Sequence, residues 1–175
     1  MTLKQATGEM IIRFFIKPWW KRKKINFNQG LTSAKKMLIL LPLSAKSEEA
    51  EKLKERLIGA FPAKKIFFAN GPFSGSAKNS PGIRLDLGGS DASIWHLLRN
   101  HPPKSLPNDI DVFIDLDTEL NILGAYLSRC LNPTISIAFR KQACNRYYNL
   151  VFAGQPQDLY YDRVLGLLKF LATLQ

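Results

Sequence analysis

The sequence predicts a three-layer α/β domain with a mostly parallel sheet of five or six strands, preceded by a basic N-terminal helical arm. Three observations carry this expectation. In Asn108-Asp109-Ile110-Asp111-Val112-Phe113-Ile114-Asp115-Leu116-Asp117-Thr118-Glu119, an apolar run rich in β-branched and aromatic residues ends in three acids, and a periodic helix follows at once. That is the join between a buried parallel strand and its crossover helix, where open α/β sheets place ligand sites. Apolar runs at 37–43 and 65–69 bracket a helical segment, which implies a right-handed parallel unit. Leu159, Val164, Leu165, Leu168 and Leu171 recur at helical spacing near the C-terminus, giving an amphipathic closing helix.

Taken in order, the elements begin after Gly30. Met37-Leu38-Ile39-Leu40-Leu41-Pro42-Leu43 reads as a buried first strand bounded by Pro42. Ser44 or Ser47 caps a helix to about residue 60, with Glu48, Glu49 and Glu51 in its first turn and Lys54 and Arg56 further on, the order that suits the helix dipole. Phe61-Pro62 stops it, and Lys65-Ile66-Phe67-Phe68-Ala69 is the second strand. Residues 70–82 and Gly88-Gly89-Ser90 are turn-forming breaks around a short strand at 83–87, and 91–100 reads as a helix ended by His101-Pro102-Pro103. After the acids, Leu120, Leu123, Gly124, Leu127 and Leu131 keep helical spacing, and the small residues Gly124, Ala125 and Ser128 suit close approach to the sheet. Asn132-Pro133 breaks the chain before a strand at 134–139, and 148–152 supplies another before the helix at 158–174.

At 175 residues, nearly half of them apolar, the chain fits one globular domain and a tail. The arm is expected at 1–30 and the domain at 31–175. No apolar run approaches the roughly 20 residues of a spanning helix. Cys130 and Cys144 lack the paired spacing of a zinc site. They read as reduced, mostly buried thiols of a cytoplasmic protein. Charge is concentrated at one end: residues 1–36 hold nine basic side chains against the single acid Glu9, which is +8 of a net +11. Within that segment an apolar block at 10–16 meets Trp19-Trp20 and the run Lys21-Arg22-Lys23-Lys24. Tryptophan favours the lipid headgroup level, and clustered Lys and Arg are drawn to anionic lipid. Arg13, Lys17, Trp19, Trp20, Lys21, Arg22, Lys23 and Lys24 are therefore candidates for contact with a membrane or an acidic partner. The order is wrong for a secretory signal, which puts charge before the apolar region. Two other readings stay open. The arm can form a helix at 9–17 that packs on its own domain, or its basic and aromatic residues can meet RNA.

Asp115, Asp117 and Glu119 are the catalytic candidates, since paired carboxylates serve as acid and base or hold a divalent ion. Only some of them can share one side of a strand, and Asp117 or Thr118 equally suits a helix cap. No Gly-Lys-Ser/Thr of a phosphate loop and no Gly-x-Gly-x-x-Gly follows a strand. His96 and His101 lie five apart, off a common helical face. No cofactor and no metal site are expected.

Residues 109–139 also resemble part of the bacterial heptosyltransferases, the ADP-heptose lipopolysaccharide glycosyltransferases. There a strand of the form Tyr-Asp-hydrophobic-Val-Ile-Asp-Leu leads to a helix and a hydrophobic strand. Ile110-Asp111-Val112-Phe113-Ile114-Asp115-Leu116 and Ile135-Ser136-Ile137-Ala138-Phe139 carry that likeness here, and the opening strand, helix and Phe61-Pro62 fit the family's first unit. In size, basic N-terminal helix and closing Tyr-Tyr-Asn-Leu strand, the chain is also similar to small single-domain proteins of the Bacteroidetes type. The resemblance implies a Rossmann-like domain. It also implies a second domain for the nucleotide sugar, which is not expected here, and a Gly-Asp pair after the first strand whose Asp is a candidate base. This chain has Pro42-Leu43-Ser44-Ala45-Lys46 at that place. The expectation is a non-catalytic binding or adaptor module at the inner membrane surface. The alternatives are a glycosyltransferase-like domain whose donor site comes from a partner, and an RNA-associated basic module.

Overall fold

The computed structural model describes residues 26–42, 47–70, 83–84, 107–118, 122–139, 147–153 and 160–173. Among the described residues four helices and six strands follow in the order α1 (Phe27–Ser33), β1 (Lys36–Leu40), α2 (Ser47–Ala60), β2 (Lys65–Asn70), β3 (Ile83–Arg84), β4 (Val112–Asp115), α3 (Ile122–Cys130), β5 (Ile135–Phe139), β6 (Leu150–Phe152) and α4 (Tyr160–Ala172). The strands form one sheet in the order β3-β2-β1-β4-β5-β6. Every pairing is parallel. This is the doubly wound Rossmann-like order, in which the chain moves outward from β1 in one direction and then restarts at β4 in the other.

Alternation along the strands sorts their side chains into two cores. Met37, Ile39, Val112, Ile114, Leu116, Ile135, Ile137 and Phe139 pack with Leu31 of α1, Leu53 and Leu57 of α2, and Val164, Leu167 and Leu171 of α4. Leu38, Leu40, Phe113 and Ala138 face the other way, onto Leu123, Ala125, Tyr126 and Leu127 of α3 and onto Tyr147 and Tyr148. The central strands β4 and β5 are buried at every position, as strands covered on both faces must be. Each large apolar side chain removed from water in this way contributes roughly 1.5–3 kcal/mol before entropy is counted.

Most elements fall where the sequence places them; α2 begins at Ser47 and ends at Ala60 as expected. Three elements differ from the expectation. The sequence pattern predicts no helix at α1, which runs across the boundary set at residue 30. Asn26 caps it by accepting from the Gln29 backbone N–H at 3.4 Å, Leu31 is fully buried, and a Cβ on Gly30 would lie 3.1 Å from Ile135 Cδ1. Strand β4 is shorter than the apolar run around it, and Asp111 just before it joins the ladder through its backbone, its N–H donating to the Lys36 carbonyl and its carbonyl accepting from the Ile135 N–H, each at 3.0 Å. Its Oδ2 accepts from the backbone N–H groups of Lys35 at 2.8 Å and Lys36 at 2.9 Å. Strand β6 starts at Leu150 rather than 148, because the two residues before it are used by their side chains. Asn149 Oδ1 accepts from the Ser136 hydroxyl at 3.1 Å, and its Nδ2 donates to the Thr134 carbonyl at 3.1 Å. The helix expected at 91–100 and the one expected at 9–17 lie outside the described residues.

Asn132 follows α3 with φ 43°, the left-handed geometry that ends helices and that Asn tolerates. At the same edge of the sheet Lys64 holds α1 in place. Its Nζ donates to the carbonyls of Leu31 at 2.8 Å and Ala34 at 3.0 Å, bringing a cation to the negative end of the helix. Lys64→Met is expected to lower stability by about 1 kcal/mol, read as a drop of about 2–4 °C in Tm. An unchanged Tm would show that α1 is held by Leu31 alone.

Candidate functional site at the strand ends

The strand order reverses between β1 and β4, so their C-terminal ends flank the crevice where doubly wound sheets hold ligands. The Leu116 N–H donates to the Leu40 carbonyl at 3.0 Å and the Leu41 N–H to the Ala69 carbonyl at 3.0 Å, which carries the parallel ladder up to that edge. The acids singled out in the sequence start here, and the structure separates them.

Asp115 is the last residue of β4 and is 0% exposed. It lies on the same face of the strand as Phe113, turned toward α3. Its Oδ1 accepts from the Asp117 backbone N–H at 2.9 Å. Its Oδ2 accepts a hydrogen bond from the Tyr148 hydroxyl. The carboxylate can sit this deep because α3 presents no side chain beneath it. A Cβ on Gly124 would overlap Asp115 Oδ2 and fall 2.8 Å from the Tyr148 oxygen. The Tyr148 ring stacks on Phe113, with centroids 6.4 Å apart and planes at 16°. The neighbouring Tyr147 is anchored through its carbonyl, which accepts from the Ser128 hydroxyl at 2.5 Å. Asp115 thus joins the turn after β4, helix α3 and the segment entering β6. A buried carboxylate survives only when donors satisfy it, and both oxygens have them.

Asp117 is 9% exposed, and its N–H is already used by Asp115. Thr118 is exposed beside it. Glu119 lies outside the described residues, so of the three acids the structure places two, one inside the core and one at its rim. The arm residues Arg13, Lys17, Trp19, Trp20, Lys21, Arg22, Lys23 and Lys24 also lie outside the described residues, as do His96, His101 and Cys144. Among the described residues no three His, Cys, Asp or Glu side chains come close enough to hold a metal ion. Nor is any described helix long and apolar enough to cross a membrane.

No family model, curated protein or solved structure matches the chain. The site must therefore be read from its own chemistry. Cys130, at the end of α3, is a half-buried free thiol. Burial pushes its pKa up, against a smaller downward effect of its hydrogen bond with Tyr126. Burial likewise raises the Tyr126 phenol well above its usual range, with the hydrogen bond to Cys130 adding to the rise. Both groups remain protonated at neutral pH, the opposite of an activated nucleophile.

Tyr148 and Gly124 are the members of the site that the acid motif does not announce. Gly124 carries a signal, its place among the small residues of an otherwise leucine-rich helix. Tyr148 carries none, because its partner is 33 positions away in sequence.

Proposed function

We propose that this protein is a non-catalytic Rossmann-like binding or adaptor module that docks on the anionic inner surface of a membrane through its basic, aromatic arm. The observation that supports this reading best is the enclosure of Asp115. A strand-end general base must reach a substrate proton within hydrogen-bond distance, and this carboxylate is turned into the core with both oxygens occupied by protein donors. The acid row then serves the fold, and the unassigned chemistry of the chain lies in residues 13–24. There, paired tryptophans adjoin four consecutive cations. Each Lys or Arg near an anionic surface adds about 1 kcal/mol of attraction, and the indole rings suit the headgroup layer. The strand-end face would be left to present the domain to a protein or a small ligand.

The test uses the full chain with Lys21, Arg22, Lys23 and Lys24 all changed to Gln. Removal of four charges is expected to weaken co-sedimentation with anionic vesicles by at least about a hundredfold, with no change in Tm. Equal binding by the variant would place the interaction elsewhere and remove the arm from the proposal.

A further inference from the structure

Resting on the membrane reading above, we infer that the N-terminal edge of the sheet is part of the lipid-facing surface. The domain would then stand on the membrane with its β1/β4 crevice turned away. The register of β1 on β2 sets Lys36 beside Lys65, and the residues just before each strand are Lys35 and Lys64. Four cations therefore share one edge. Lys35 and Lys65 are exposed. Lys36 and Lys64 point their ammonium groups at backbone carbonyls, Asn108 for the first and the end of α1 for the second, which fixes their position without cancelling their charge. Among the described residues the acids at this edge are Asp109 and Asp111, and Asp111 Oδ2 is taken up by two backbone N–H groups.

The opposite edge carries both signs. Helix α2 runs back from the C-terminal ends of the strands, and it opens there with Glu48, Glu49 and Glu51. Asp117 stands nearby at the end of β4, and among the described residues the cations in this region include Arg84, level with Asn70 at the end of β2, and Lys52 and Lys54, each paired with a glutamate. Among the described residues, positive charge is thus concentrated at the strand starts, whereas both signs meet at the strand ends. An anionic surface orients such a charge distribution.

The arm joins the domain at the positive edge. Helix α1 lies against Thr134 and Ile135 at the start of β5 through Gly30, and its last carbonyls are held by Lys64. The chain from Lys24 to Asn26 spans at most about 7 Å, and a helix of seven residues is about 10 Å long. With the links from Asn26 to Phe27 and from Ser33 to Lys35 included, Lys24 is tethered within roughly 30 Å of Lys35 and Lys21 within roughly 40 Å, and the two basic groups can meet one surface together. Lipid is favoured over RNA as that surface by the apolar block at 10–16 and Trp19-Trp20, which suit an interface with an apolar interior.

Three charge reversals in the full chain test the orientation: Lys35→Glu, Lys65→Glu and, at the opposite edge, Lys52→Glu. All change the net charge by the same amount, and all three side chains are exposed, so folding is retained and is checked by Tm. Lys65→Arg serves as the conservative variant. With phosphatidylserine-containing vesicles, Lys35→Glu and Lys65→Glu are each expected to weaken binding at least about fivefold. Lys65→Arg should match the parent, and Lys52→Glu should stay within about twofold, since surface charges beyond a Debye length are screened. Equal losses at all three positions would overturn the orientation while leaving the arm proposal standing. No vesicle binding by the parent chain, or binding to single-stranded RNA with the same lysine dependence, would overturn both.

Discussion

Changing Gly124 to Ala is expected to destabilise the protein by about 2–3 kcal/mol, although alanine is the better helix former. Alanine in place of glycine inside a helix normally gains about 1 kcal/mol. Here the new methyl would overlap Asp115 Oδ2 and lie 2.9 Å from its carboxyl carbon and 2.8 Å from the Tyr148 oxygen. None of these atoms is the free end of a flexible surface chain. Both residues are buried, and each is held by the other. Relief requires α3 to move off the sheet or the Asp115–Tyr148 bond to break, and overpacking of this kind costs about 1–3 kcal/mol or more. Urea denaturation gives the value directly. Gly59, where a Cβ would meet nothing within 4 Å, is the control: Gly59→Ala should be neutral or stabilising. Tolerance of Gly124→Ala at the level of Gly59→Ala would mean that α3 does not lie over Asp115.

The second large effect is expected for Tyr148→Phe, at about 2 kcal/mol. The ring keeps its stacking on Phe113, so the packing is preserved and the loss isolates the hydroxyl. Removing one partner of a buried hydrogen bond leaves the other unsatisfied, which costs about 1–3 kcal/mol and more when the orphan is charged. The same change in an Asp115→Asn background should cost less, with a coupling of about 1 kcal/mol, because the charge that needs the hydroxyl has gone. Additive effects would show that the two side chains do not act as a pair.

How much of this was legible in the sequence depends on the range of the interaction. Helix α2 could be read from Ser47, its acidic first turn and the inner-face residues Leu53 and Leu57, because all of these are local signals. Strands β1, β2, β4 and β5 announced themselves as short apolar runs between breaks. The small residues of α3 forecast its close approach, and Gly124 bears it out. Helix α1 was not legible. It has seven residues, contains a glycine, and is held by Lys64 and Ile135, neither of which is near it in sequence. The acid row was legible as a strand-to-helix junction but not as a set of roles. Which way Asp115 points follows from the strand register, and what it meets follows from Tyr148 arriving by way of a later segment. Pattern alone places three carboxylates near one edge. It takes the packing to show that Asp111 ties β1 to β4, that Asp115 is enclosed, and that Asp117 sits at the rim.

An enclosed Asp115 also changes what its substitution would mean. Loss of a function in an Asp115 variant would be the expected consequence of loosening α3 and the entry to β6, so stability must be measured alongside any activity.

Co-sedimentation of the intact chain with vesicles, anionic against neutral and at low against high salt, tests the membrane reading most directly. The expected result is binding that needs anionic lipid and falls steeply between low and high salt, since exposed charges are screened within about 10 Å at about 0.1 M. Failure to bind anionic vesicles at low salt, where attraction is greatest, would contradict it.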